Sequence, residues 1–318
     1  MEFQKMRPEM LSDRAKALNR RSVGVNVHDH MMFEFAIHKA FGESNVFDTY
    51  YLPELRKGGF QVFITTVGAN SPCMCNLTDH LEFGCFEQID MLRQEEREGA
   101  CFRICKTMGD IRSAIAEHKI ALILAFEGAR ALEGRHWEES MVMLRTFYEL
   151  GLRLNCIAGG ARTAFADGVG DIRADADLSD AQIDALGKNG GLIGLEIVKT
   201  ELKKGAHESG EVVTFDRVVD HIDYFADRIG VEHLALGLDY DNFPLVHNVF
   251  RAMSPAPGSI EGFDTGIPKG DHMLNEPSNV GEGYVIAEYL CRRGYSDEQI
   301  LGILGGNALR FMEQILGD

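Results

Sequence analysis

The residues best suited to chemistry lie in the run VNVHDHMMFEF, where His28 and His30 flank Asp29 directly after an alternating apolar stretch. On an extended strand, side chains two apart point the same way, so the two imidazoles project together and Asp29 turns aside. Neutral imidazole suits a divalent transition metal such as zinc. The competing reading is structural: histidines at a strand end also hydrogen-bond to neighbouring loops.

Two further strand ends carry a polar residue of the right type. Glu127 closes the apolar run LILAFE and is followed by Gly128, which lets the chain turn. A carboxylate there needs a partner, because an isolated charge in a low-dielectric setting would rather neutralise. A metal is one partner; a salt bridge to Arg130 or Arg162, or a helix N-cap role, are the others. Asp239 ends the run LALGLD, and Asp241 shares its side if the strand continues. The CxC formed by Cys73 and Cys75 could hold a soft metal, but without a second pair at zinc spacing it reads as two ordinary thiols. His207, His247 and His272 fall on expected loops.

Six apolar runs must position these groups: residues 23–28, 60–68, 120–128, 152–160, 191–198 and 233–240. Near-continuous apolar strands of this kind suit a parallel sheet covered by helices. Helical patterns alternate with them. Ser179 with Gln182, and Ser296 with Gln299, have capping-box spacing. Val218, Ile222, Phe225 and Ile229 share one helical face, and residues 297–316 read as one long C-terminal helix. Alternation of strand and helix predicts an α/β fold, read as one domain over 1–318. The Pro-, Gly- and Ser-rich stretch from Pro244 to Asn279 is the expected long loop, placed after a strand where barrel enzymes build their active-site rim.

Composition narrows the partners. Hydrophobic residues are 45% and charged residues 25%, as in an average soluble globular protein. A net charge of -17 argues against nucleic acid, whose binding draws on clustered Lys and Arg. No run has the look of a signal peptide or a membrane span, and the seven dispersed cysteines read as free thiols; both point to a cytoplasmic setting.

Taken together, VHDHMM, LILAFEGARAL, LRTFYELGLRLNCIAGGARTAFADG, LSDAQIDALGKNGGLIGLEIV, HIDYFADRIGVEHLALGLDYD and RRGYSDEQILGILGGNALRFM resemble the membrane (renal) dipeptidase family, peptidase family M19 of the amidohydrolase superfamily. The resemblance covers nearly the whole chain. It implies a TIM-barrel-like metal-dependent hydrolase fold, with His28, His30, Glu127 and Asp239 as metal ligands and Asp239 also accepting the proton of the attacking water. His30 stands where the dipeptidases have aspartate. Between TAFADG and LSDAQI, where the family carries its fifth and sixth barrel strands and the two histidines of a second metal, this chain has only VGDIRADAD. A βαβ unit takes ~30 residues or more, so the barrel is expected to be distorted or reduced in strand number.

The family's histidine after strand four aligns with Gly159. Its substrate-binding arginine aligns with Ala176, close to Arg173, and Glu196 replaces a neutral residue. Arg173 and Glu196 are therefore the substrate-side candidates, with a salt bridge as the alternative role for Glu196. The surviving ligands suffice for one ion, most simply zinc, and the expected activity is hydrolysis of a dipeptide or related amide. A lyase, decarboxylase or isomerase reaction on the same barrel, or a non-catalytic ligand-binding role, are the alternatives. Loss of two strands would expose sheet edges, which a homodimer would cover.

Overall fold

The computed structural model describes residues 3–68, 81–157, 163–166, 178–203, 206–240 and 273–318. Seven strands lie among them: β1 (Gly24–Asn26), β2 (Phe60–Thr66), β3 (Phe102–Ile104), β4 (Ile120–Glu127), β5 (Leu152–Cys156), β6 (Ile193–Leu195) and β7 (Leu234–Leu236). Six coincide with the apolar runs of the sequence. The seventh, β3, was not anticipated: with three residues, one of them Arg103, it is too short to show a period. The β1–β7, β3–β4, β4–β5 and β6–β7 pairings are all parallel, as the strand–helix alternation predicts.

The chain divides into two compact units. The first comprises Met1–Asp29, Tyr51–Val62 and Ser179–Ile315. Its strands follow the order β2-β1-β7-β6, with Asn26 opposite Leu236, and Ile193 opposite Leu234. The helix Phe215–Ile229 feeds β7 and buries Phe215, Val218, Val219 and Ile222, while Phe225 and Ile229 are half-buried. Each buried side chain of this size contributes about 1.5–3 kcal/mol of transfer free energy. Both capping boxes form, with the Ser179 and Ser296 amides donating to the side chains of Gln182 and Gln299.

The expected single C-terminal helix is instead interrupted. Residues Asp297–Leu301 and Asn307–Leu316 are helical, and a wider turn at Gly302–Gly306 separates them. The reason is packing: a β-carbon on Gly305 would stand 2.0 Å from the Val23 carbonyl oxygen and 2.8 Å from Val25, so the turn lies directly against β1. His207, expected on a loop, falls in the short helix Ala206–Ser209. Of the expected 244–279 loop, residues 244–272 lie outside the described residues. Met273 pairs with Val198 and Glu276 with Thr214.

The second unit comprises His30–Tyr50, Phe63–Leu178 and Leu316–Asp318. Here β4 is central. It carries β3 on its first half and β5 on its second, and neighbours β2, where the Val67 amide donates to the Ala125 carbonyl at 2.9 Å. Seven of its eight residues are buried, which explains its unbroken apolar character. Phe147, from the helix Trp137–Leu150, meets Phe126 edge-on at 4.7 Å and stacks on Phe86 at 4.8 Å. By contrast β5, expected to be a buried strand, buries only Leu152 and leaves Cys156 exposed. Among the described residues no helix is long and apolar enough to cross a membrane.

Candidate metal centre

Each unit presents one histidine and one carboxylate at the C-terminal ends of its strands. In the first unit β1 ends at Asn26, so His28 lies just beyond it, and not within a strand as anticipated. Extended pairing nevertheless continues, with Asp29 bridging in parallel to Tyr240. The Asp239 amide donates to the His28 carbonyl at 3.2 Å, and Asp239 turns through φ +52°. This arrangement sets His28 Nε2 3.3 Å from Asp239 Oδ1, with both side chains about one quarter exposed. Asp29 is fully buried, turned aside as the period-two geometry requires.

In the second unit Glu127 is the last residue of β4, and Gly128 turns the chain at φ +76°. Glu127 Oε2 lies 3.4 Å from Nε2 of His30, which is nearly buried. His30 Nδ1 is 3.0 Å from the hydroxyl of buried Thr66, the last residue of β2. A proton on Nδ1 directed at that hydroxyl leaves the Nε2 lone pair facing the carboxylate. That tautomer is the one a metal ligand needs. The N-cap alternative for Glu127 does not hold, since the following turn is capped by Ala129.

The two separations are informative. A charge-assisted hydrogen bond between imidazole and carboxylate runs shorter, about 2.7–2.9 Å. Two ligands each ~2.0–2.1 Å from one tetrahedral ion stand about 3.3 Å apart. Both pairs are spaced as two ligands of one ion would be, and imidazole plus carboxylate is a donor set that suits zinc.

Glu196, one residue past β6, is half-buried in the first unit. Arg173, Arg162, Ala176, Gly159, Asp241, Cys73, Cys75, His247 and His272 lie outside the described residues. The five described cysteines, Cys85, Cys101, Cys105, Cys156 and Cys291, are free thiols, and burial pushes the Cys105 thiol up to about 12. Thr66 and Asn26 join the site's surroundings only in the folded chain. Neither has the signal of the ligands, since Asn26 lies between Val25 and Val27 and Thr66 between Thr65 and Val67, inside their runs.

A family model described as "Membrane dipeptidase (Peptidase family M19)" matches residues 12–177 and 172–260. Dipeptidase ataJ of Aspergillus terreus is 34% identical over 139 residues, 44% of this chain and 27% of that protein. Dipeptidase 3 of Rattus norvegicus is 22% identical over 311 residues, 77% of this chain and 54% of that protein. The chain thus spans from about a quarter to about half of these curated relatives. Among solved structures, the dipeptidase AC, a family M19 metallopeptidase, superposes with a TM-score of 0.71 at 16% identity, covering 93% of this chain and 99% of that one. A Rhodobacter sphaeroides metallopeptidase, solved with a phosphinate mimic of the dipeptide L-Ala-D-Ala, gives 0.67 at 17% identity, covering 92% and 99%. These likenesses show a shared TIM-barrel-like α/β fold.

Proposed function

Because the chain belongs to the membrane dipeptidase family, peptidase family M19, we propose that it is a metal-dependent hydrolase of dipeptides or closely related amides, working with one divalent ion, most simply zinc, per subunit. His28, His30, Glu127 and Asp239 would hold the ion. The observation that carries this reading is the pair of imidazole–carboxylate separations, 3.3 and 3.4 Å, with the Thr66 hydroxyl 3.0 Å from His30 Nδ1, where it can accept from the Nδ1–H of a metal-binding imidazole.

When bound, the ion supplies Lewis-acid polarisation of the scissile carbonyl and acidifies water toward neutral pH. Asp239 accepts the proton of the attacking water and returns it to the leaving amine, which requires a carboxylate that is partly open to solvent and yet held in place. Its one-quarter exposure meets the first requirement, and the hydrogen bond from its amide to the His28 carbonyl supports the second. Arg173 and Glu196 are proposed on the substrate side, where a cation would meet a terminal carboxylate and an anion a terminal amine. A single ion is proposed because no histidine occurs between His136 and His207, the stretch in which the family carries its second-metal pair. A single domain, a homodimer and a cytoplasmic setting complete the reading.

Metal analysis of the purified protein, followed by a screen of dipeptides and N-acyl amino acids, tests it. The expected result is near-stoichiometric metal and cleavage that disappears in His28→Ala. Absence of cleavage above that variant overturns hydrolysis, and two ions per subunit overturn the mononuclear centre. Light scattering checks the dimer.

A further inference from the structure

We infer that Asn26 is a positioning residue of this centre, acting through the backbones that carry His28 and Asp239; the inference rests on the metal-centre reading above. Asn26 closes β1 and is fully buried. Its Oδ1 accepts from the Leu238 amide at 2.8 Å and, through a longer contact of 3.5 Å, from the His28 amide. Its Nδ2 donates to Asp29 Oδ2 at 3.4 Å. One carboxamide thus reaches the ligand-bearing ends of both β1 and β7.

The conformation at Asp239 gives this contact its meaning. At φ +52° the residue sits in the left-handed region, which a β-carbon disfavours, and such backbone persists where neighbours over-determine it. Leu238, on one side, is held by Asn26 Oδ1. The Asp239 amide is held by the His28 carbonyl, and Tyr240, on the other side, bridges to Asp29, which Asn26 also contacts. Without Asn26 the Leu238 amide loses its acceptor in a buried place, and Asp239 is freer to relax toward ordinary strand dihedrals. Its carboxylate would then leave His28 Nε2.

The residue type follows from the contacts. Two backbone amides require an acceptor and the Asp29 carboxylate requires a donor, and a short carboxamide offers both from one side chain. An aliphatic residue of similar volume offers neither.

The test is zinc affinity of the full chain, measured by chelator competition, for wild type, Asn26→Leu and Asn26→Ala. Asn307→Ala serves as the control for a buried asparagine at the opposite end of β7, where its amide donates to the Val231 and Leu234 carbonyls at 2.8 Å each. The expected result is a weakening of about 10–100-fold in both Asn26 variants, the range typical of outer-shell partners of a metal site. The visible spectrum of the cobalt-loaded protein should change with it. Asn307→Ala should lower thermal stability and leave zinc affinity within twofold. Affinity unchanged in Asn26→Leu, or lost equally in Asn307→Ala, overturns the role of Asn26 while the centre stands. A wild type that binds no zinc overturns the centre itself. If Asn26→Leu does not fold, Asn26→Ala carries the comparison.

Discussion

Replacing Thr66 by valine removes one hydroxyl at nearly constant volume, and that hydroxyl is 3.0 Å from His30 Nδ1. Both residues are buried, Thr66 at 2% exposure and His30 at 8%, so water is poorly placed to substitute. In the Nδ1–H tautomer, loss of this acceptor costs about 1–3 kcal/mol. The imidazole can escape part of this by moving its proton to Nε2, which then faces Glu127 at 3.4 Å. That escape removes the lone pair a metal requires, so binding must reverse it. A loss of about 10–100-fold in affinity, roughly 1.4–2.7 kcal/mol, is therefore expected. Chelator competition with zinc measures it, with Thr66→Ser as the variant that keeps the hydroxyl and stays near wild type. Zinc binding by Thr66→Val within twofold of wild type would refute the tautomer argument, whatever the stability change.

Asp239→Asn should lower dipeptide turnover by about 10²–10⁴-fold, the usual weight of a general base, while asparagine tolerates the left-handed φ and keeps the fold; comparable turnover would dismiss Asp239 as the proton acceptor. His38 Nδ1 at 3.0 Å and the Tyr50 hydroxyl at 2.8 Å hold the Glu43 carboxyl below its ordinary 4.5, so its stabilisation is present above that pH and is lost as pH falls through the lowered value. Glu43→Gln should melt below wild type at pH 7 and converge with it as the pH falls through the lowered value, and a constant gap in a melting series would contradict this. Gly305→Ala forces a methyl against the Val23 carbonyl and should destabilise by about 1–3 kcal/mol in urea unfolding; a neutral result would show that the turn can move away from β1.

Much of the architecture is legible without coordinates. A central strand such as β4 is buried along its length and must be apolar until it ends, so a glutamate at position 127 marks the boundary by its chemistry alone. The same contrast marks His28 and Asp239. Strand existence is legible for the same reason, since six of the seven strands announce themselves as apolar runs. Short β3 does not, because three residues including an arginine carry no period. The break at Gly302–Gly306 is equally silent, because the need for it comes from Val23 and Val25, which are remote in sequence.

Local sequence therefore determined which residues close the strands and what chemistry each could offer. Only tertiary structure decided their partners. His28 and His30 read as a natural pair, and each faces a carboxylate remote from it in sequence, Asp239 and Glu127 respectively. Thr66 and Asn26 take on meaning from contacts at 3.0 and 2.8 Å with groups brought near by parallel strand neighbours. The physical reason is that a side chain's period along its own strand sets the direction in which it points, whereas what it meets is set by register and strand order. Those depend on packing across the whole sheet.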